Sequence, residues 1–120
     1  MPPMPSSDSV KIIFLDRNAL LARLRDIAAR IRREHATVAE VRLFGSLARG
    51  DATGTSDVDV LILLHHSTEP DALRRILTFL PYFDLERGTD LLVYTRAELE
   101  QQLATQNPFL CRVWRESVPL

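Results

Sequence analysis

A chain of 120 residues suffices for one domain with a buried core, yet is short for an enzyme with a separate lobe for its second substrate. Its 46% hydrophobic content and formal net charge of −1 point to a soluble globule without the basic excess that nucleic-acid binding draws on, which disfavours a polymerase role. The single cysteine, Cys111, excludes an internal disulfide and a cysteine-rich metal site, and makes a reducing cytoplasm the expected setting.

Residues 1–9 hold three prolines and three serines but no apolar core, so they read as a flexible tail and not a signal peptide, leaving 10–120 as the domain. No run approaches the roughly 18 apolar residues of a membrane span. From Arg17 to about Glu34, Leu20, Leu21, Leu24, Ile27, Ala28 and Ile31 recur at helical spacing, with Asp16 or Asn18 available as N-cap. The arginines of this segment alternate with Asp26 and Glu34 opposite the apolar stripe and read as a solvated face. His35 stands alone at the helix end, where the helix dipole favours its charged form.

Val38 to Phe44 alternates as a strand, and Asp57 to Leu64, continuously apolar after its acids, reads as a central one. His65 and His66 follow as a strand-end surface pair. Pro70 to Leu80 predicts a second amphipathic helix with Leu73, Ile76, Leu77 and Leu80 on its buried face, ended by Pro81. After Gly88, Asp90 to Tyr94 has a strand pattern. Arg96 to Gln106 predicts a third helix capped by Thr95 with Glu98 three residues on, closed by Pro108. In the last segment Trp114 is expected in core or interface and Cys111 buried. The whole predicts an α/β domain with a short mixed sheet flanked by helices.

The chemistry concentrates between Phe44 and Leu64, FGSLARGDATGTSDVDVLILL, where Gly45-Ser46 precedes Asp57-Val58-Asp59 by ten residues. Transfer of a phosphorylated group needs backbone N–H groups to hold a phosphate tail and metal ions to neutralise developing charge. Glycine lets the backbone approach a phosphate closely, and the Ser46 hydroxyl adds a donor without charge. Carboxylates two apart on a strand share a face, so Asp57 and Asp59 can hold metal ions together while Val58 turns to the core. Leu47, Ala48 and Arg49 fit one short helical turn facing the phosphates, and Gly50, Gly54 and Ser56 a turn-rich connection. A third carboxylate, to complete the metal site or accept a proton from the attacking hydroxyl, is sought at Asp90, with Asp84 and Glu86 as competitors.

On these residues, with Ala48-Arg49-Gly50 and Ser56 directly before Asp57, the chain resembles the DNA polymerase β-like nucleotidyltransferase superfamily. Within it, the chain is similar to the minimal nucleotidyltransferases that act as antitoxins beside HEPN-domain toxins. The likeness runs from about Val38 to Ser117, and the segment from Asn107 on resembles the family's closing helix followed by an apolar residue or two. It implies the small polymerase β-like nucleotidyltransferase fold, with ATP as substrate and two Mg²⁺ ions on Asp57, Asp59 and Asp90. Gly45, Ser46, Arg49 and Ser56 would contact the nucleotide. AMP would pass to a hydroxyl, a tyrosine, of the cognate HEPN toxin, in a hetero-oligomer without direct nucleic-acid or membrane binding. The rival expectation is an idle antitoxin that neutralises its toxin by docking alone. An adenylyltransferase for a small molecule is disfavoured because no second lobe can shape a ligand pocket.

Overall fold

The computed structural model describes residues 16–120; the expected tail over 1–9 and the first residues of the domain lie outside that range. The first helix, α1, spans Arg17–Glu34, and Asp16 rather than Asn18 caps it, its carboxylate accepting from the Ala19 N–H at 3.0 Å. Leu21, Leu24, Ile27, Ala28 and Ile31 face inward, as the spacing requires, while the arginines stay on the outer face.

Four strands follow: β1 (Val38–Phe44), β2 (Val58–Leu64), β3 (Thr89–Thr95) and the two-residue β4 (Val118–Pro119), in the order β3-β2-β1-β4. β1 runs antiparallel to both β2 and β4, whereas β2 and β3 are parallel, giving the mixed sheet. β2 is the central strand and every residue in it but Asp59 is buried, which is why its sequence shows no apolar–polar alternation. Val58, Val60, Ile62 and Leu64 pack with α1 on one face. Leu61 and Leu63 pack on the other with Phe44, Leu99 and Val113. Asp59 shares the parity of Leu61 and Leu63, so the strand's one unburied side chain emerges on that second face.

A short helix, α2 (Gly45–Arg49), leads out of β1; it begins two residues before the expected turn at Leu47. α3 (Ala72–Phe79) lies in the crossover between the parallel strands, capped by Asp71, and passes into a 3₁₀ turn, Leu80–Tyr82, that contains Pro81. Its buried face is only partly the expected one, for Ile76 packs against the core. Leu73 and Leu77 are 61% and 56% exposed and Leu80 is exposed as well, while Arg75 and Phe79 point inward. Arg75 takes the place of a leucine because its charge is met: its guanidinium donates to both Glu98 oxygens at 2.7 and 3.2 Å and to the Glu69 carbonyl at 2.6 Å.

Glu98 also belongs to the capping box of α4 (Arg96–Ala104), with Thr95 as N-cap as expected. The helix stops two residues short of Gln106, which adopts a left-handed conformation, and Pro108 opens the next helix instead of closing this one. Glu98→Ala strands the buried Arg75 charge and removes the side-chain half of the capping box, the acceptor of the Thr95 N–H. It should cost about 3 kcal/mol in urea-melt stability, while Arg75→Met, which removes the charge and keeps the volume, should cost less than half as much.

The last helix, α5 (Pro108–Glu116), is fixed to β1 by Arg42. That guanidinium donates to the Ser117 hydroxyl at 2.8 Å and its carbonyl at 3.1 Å, and lies 4.4 Å from the Trp114 ring centroid. Trp114 is thus half-buried under a cation, and Cys111, expected buried, is only partly so. His35 is not alone: it follows α1 and shares a 2.9 Å hydrogen bond with the Tyr82 hydroxyl, which donates to Glu34. His65 and His66 are exposed beyond β2, as expected.

Candidate active site

The site forms where β1 ends and β2 and β3 begin. Phe44 is still extended, and the chain then turns through Gly45, whose φ of +73° an L side chain rarely adopts. Space imposes the same residue: a Cβ at this position would overlap Asp59 Oδ2 and stand 2.9 Å from Asp59 Cγ. The backbone of α2 is therefore pressed against one of the acids. Gly50, also left-handed, closes α2 by donating its N–H to the Ser46 carbonyl at 3.0 Å.

Parallel pairing sets Asp59 directly beside Asp90. Of the three acids considered for the third carboxylate, Asp90 is the one at the cleft; Asp84 and Glu86 border a separate concavity with Asp16 and Arg23. Asp57 precedes β2, is exposed, and lies over the Gly88 backbone, where a Cβ would come within 2.6 Å of its Oδ1. Gly88 thus makes room for Asp57 as Gly45 does for Asp59.

The carboxyl of Asp59 is pushed up to about 6, first by burial, then by the Asp90 carboxyl, close enough to share a proton with it, and then by Asp57; Arg49 pulls the other way. Among the described residues no three acid, histidine or cysteine side chains are gathered into a closed cation cage. The arrangement nevertheless suits Mg²⁺, a hard cation commonly held by one or two carboxylates together with substrate phosphates and water. Asp59 and Asp90 supply oxygen donors with uncompensated charge, and Gly45 leaves their approach open.

The acids floor a cleft of about 550 Å³ whose walls include Gly45, Ser46 and Arg49 on one side and Phe109, Arg112, Val113 and Glu116 of α5 on another. That volume is ordinary for a small-molecule site. Arg49 reaches it but is engaged within the protein, donating to Asp51 at 3.2 Å and Glu116 at 2.9 Å. Ser56 is not in the cleft lining; its hydroxyl accepts from the Thr53 N–H at 2.9 Å and organises the loop. Arg87 ties that loop to the chain before β3 by donating to the Ser56 carbonyl at 3.0 Å.

Sequence reasoning missed Arg87 and the whole α5 wall. The wall had a legible signal, since Phe109, Arg112, Val113 and Glu116 recur at helical spacing, but nothing local said that this stripe would face the acids.

An acid pair on adjacent parallel strands, packed against a glycine-led turn in the lining of one cleft, is an arrangement in a small α/β domain that suits phosphoryl transfer. The chain belongs to the nucleotidyltransferase domain family, whose sequence model matches residues 24–120. The fold is shared with a candidate nucleotidyltransferase of known crystal structure from Sulfolobus solfataricus: the TM-score is 0.63 at 22% identity, over 86% of this chain and 80% of that one. No curated protein matches the chain. Among the described residues no helix is long and apolar enough to cross a membrane.

Proposed function

We propose that this domain transfers AMP from ATP, with Mg²⁺, onto a tyrosine hydroxyl of a partner HEPN-domain toxin and so acts as its antitoxin. The observation that carries the reading is the pairing of Asp59 with Asp90 across β2 and β3, with Asp59 packed against Gly45, in the lining of a cleft that also holds Ser46. Membership of the nucleotidyltransferase domain family supports transfer of a nucleotide, and the motif resemblance supports the antitoxin branch.

Asp59 and Asp90 would hold the metal, with the Asp57 carboxylate adding negative charge beside them, and Gly45 and Ser46 would hold the triphosphate. Bound Mg²⁺ supplies charge neutralisation for the phosphates and for the oxygens that enter and leave. Asp90, exposed at the start of β3, would accept the proton of the attacking hydroxyl. Ser46 donates its hydroxyl to a phosphate oxygen. The hydroxyl oxygen bonds to the α-phosphorus, the bond to the bridging oxygen breaks, and pyrophosphate departs.

Intact-mass spectrometry of the protein with its genomic neighbour, ATP and Mg²⁺ tests this. An adenylyl increment on the neighbour, lost with Asp57→Ala/Asp59→Ala while the complex persists, is expected. A stable complex that protects equally well with that variant and never gains mass would replace the enzyme with an idle antitoxin that works by docking.

A further inference from the structure

We infer that the α5 wall of the cleft is a stacking platform for the nucleobase, built by Phe109 with Leu92 of β3 in the same lining, and that the site accepts ATP and GTP with little preference. This rests on reading the cleft as a nucleotide site.

Phe109 is 47% exposed, and it opens into the same cleft as the acid pair. A bare aromatic ring at the start of a helix leaves apolar surface in water unless something covers it, and the cleft determines what can. Glu116 marks the other end of the helical stripe, held 2.9 Å from Arg49 beside the Gly45-Ser46 turn. At 1.5 Å per residue the seven-residue step to Phe109 places the ring roughly 10 Å along the helix from the turn expected to grip the triphosphate.

Leu92, also in the lining, stands two residues along β3 from Asp90 on the same strand face, about 7 Å farther from the strand start. The lining therefore joins the acids, suited to a metal and phosphates, to apolar surface from Phe109 and Leu92. Arg112 stands between Phe109 and Glu116 on α5. Its guanidinium lies 5.9 Å from the Phe109 centroid, and among the described residues no carboxylate pairs with it, so its charge is available to a phosphate or to a stacked base.

Among the described residues the apolar surface brings only Leu92, Phe109 and Val113 to a base edge, while Arg112, beside the Phe109 ring, would meet a stacked base on its π-face. Stacking on a π-face is tolerant of base identity, whereas discrimination requires placed donors and acceptors. Hence the expected indifference between the two purine nucleotides.

Calorimetric titration of the full chain in Mg²⁺ with ATP, GTP and inorganic tripolyphosphate tests the inference. The wild type should bind ATP and GTP within about threefold of each other, as stacking without edge readout predicts. Phe109→Ala should weaken both by about tenfold, the loss of one stacked base. It should leave tripolyphosphate unchanged, and Phe109→Trp should restore both nucleotides. Unchanged ATP affinity in Phe109→Ala, an equal loss for tripolyphosphate, or a wild-type preference above tenfold for one purine would overturn it. Failure of the wild type to bind tripolyphosphate or any nucleotide would instead bring down the reading of the cleft itself.

Discussion

Gly45→Ala is expected to abolish nucleotide transfer while leaving a folded protein. The substitution places a methyl group in the space of Asp59 Oδ2 and imposes a left-handed φ of +73° on an L residue. The backbone term costs about 1–2 kcal/mol. The collision is relieved most cheaply by rotating the Asp59 carboxylate away, because its far end is the nearest obstacle. Stability should therefore fall by about 2 kcal/mol in a urea melt, a loss a domain of this size can survive. Turnover, by contrast, should drop by at least about a hundredfold, since displacement of a reacting group by an ångström has that cost. A variant that keeps full turnover would show that the Asp59 carboxylate, as placed in this structure, is not used in the reaction.

Asp59→Asn is expected to stop transfer and, at neutral pH, to make the protein more stable. A carboxyl pushed up to about 6 when folded, against 3.8 as its ordinary value, binds its proton more tightly in the native state. Its contribution to stability is full below about pH 4 and disappears as pH rises through 6, leaving the ionised acid crowded against Asp90 and Asp57 at pH 7 and above. A neutral amide escapes that penalty. Because Asp59 is only partly buried, solvent screening reduces the gain to about 1 kcal/mol at pH 7.5, with little change at pH 4. The same linkage sets the cation response: Mg²⁺ competes with the proton, so its stabilisation of the wild type in thermal melts should be larger at pH 7.5 than at pH 5 and absent in Asp59→Asn. Equal Mg²⁺ shifts at both pH values would place the cation away from Asp59.

The sequence was most legible where one physical rule decided the outcome. The apolar spacing of Leu21, Leu24, Ile27 and Ile31 predicted α1, and the run after Asp59 predicted a strand buried on both faces. Asp90 could be chosen over Asp84 and Glu86 from the strand pattern beginning beside it, and parallel register does set it next to Asp59. Legibility failed where a partner distant in the chain overrode the local pattern. Glu98 neutralises Arg75 and lets it turn inward, which rolls α3 until Leu73 and Leu77 face outward, opposite to what their spacing predicted. Likewise Arg49 and Ser56 look available in the sequence, yet Glu116 and Thr53 engage them. The helical stripe of α5 was legible but its approach to the acids was not, because a contact far apart in the chain, Arg42 with Ser117, holds the helix end to β1.

The parallel pairing of β2 with β3 also governs when the site can exist. Antiparallel β1 and β2 can meet through a short connection, but Asp59 and Asp90 are brought together only after the entire crossover through α3 has closed. Non-local pairings of this kind form late because the chain must be ordered before any contact rewards it. A nascent or partly unfolded chain therefore lacks the Asp59–Asp90 pair that the folded site offers a cation. Ligand occupancy becomes a report on completed folding, and nucleotide with Mg²⁺ would slow the protein's degradation by withdrawing it from the open states that proteases attack.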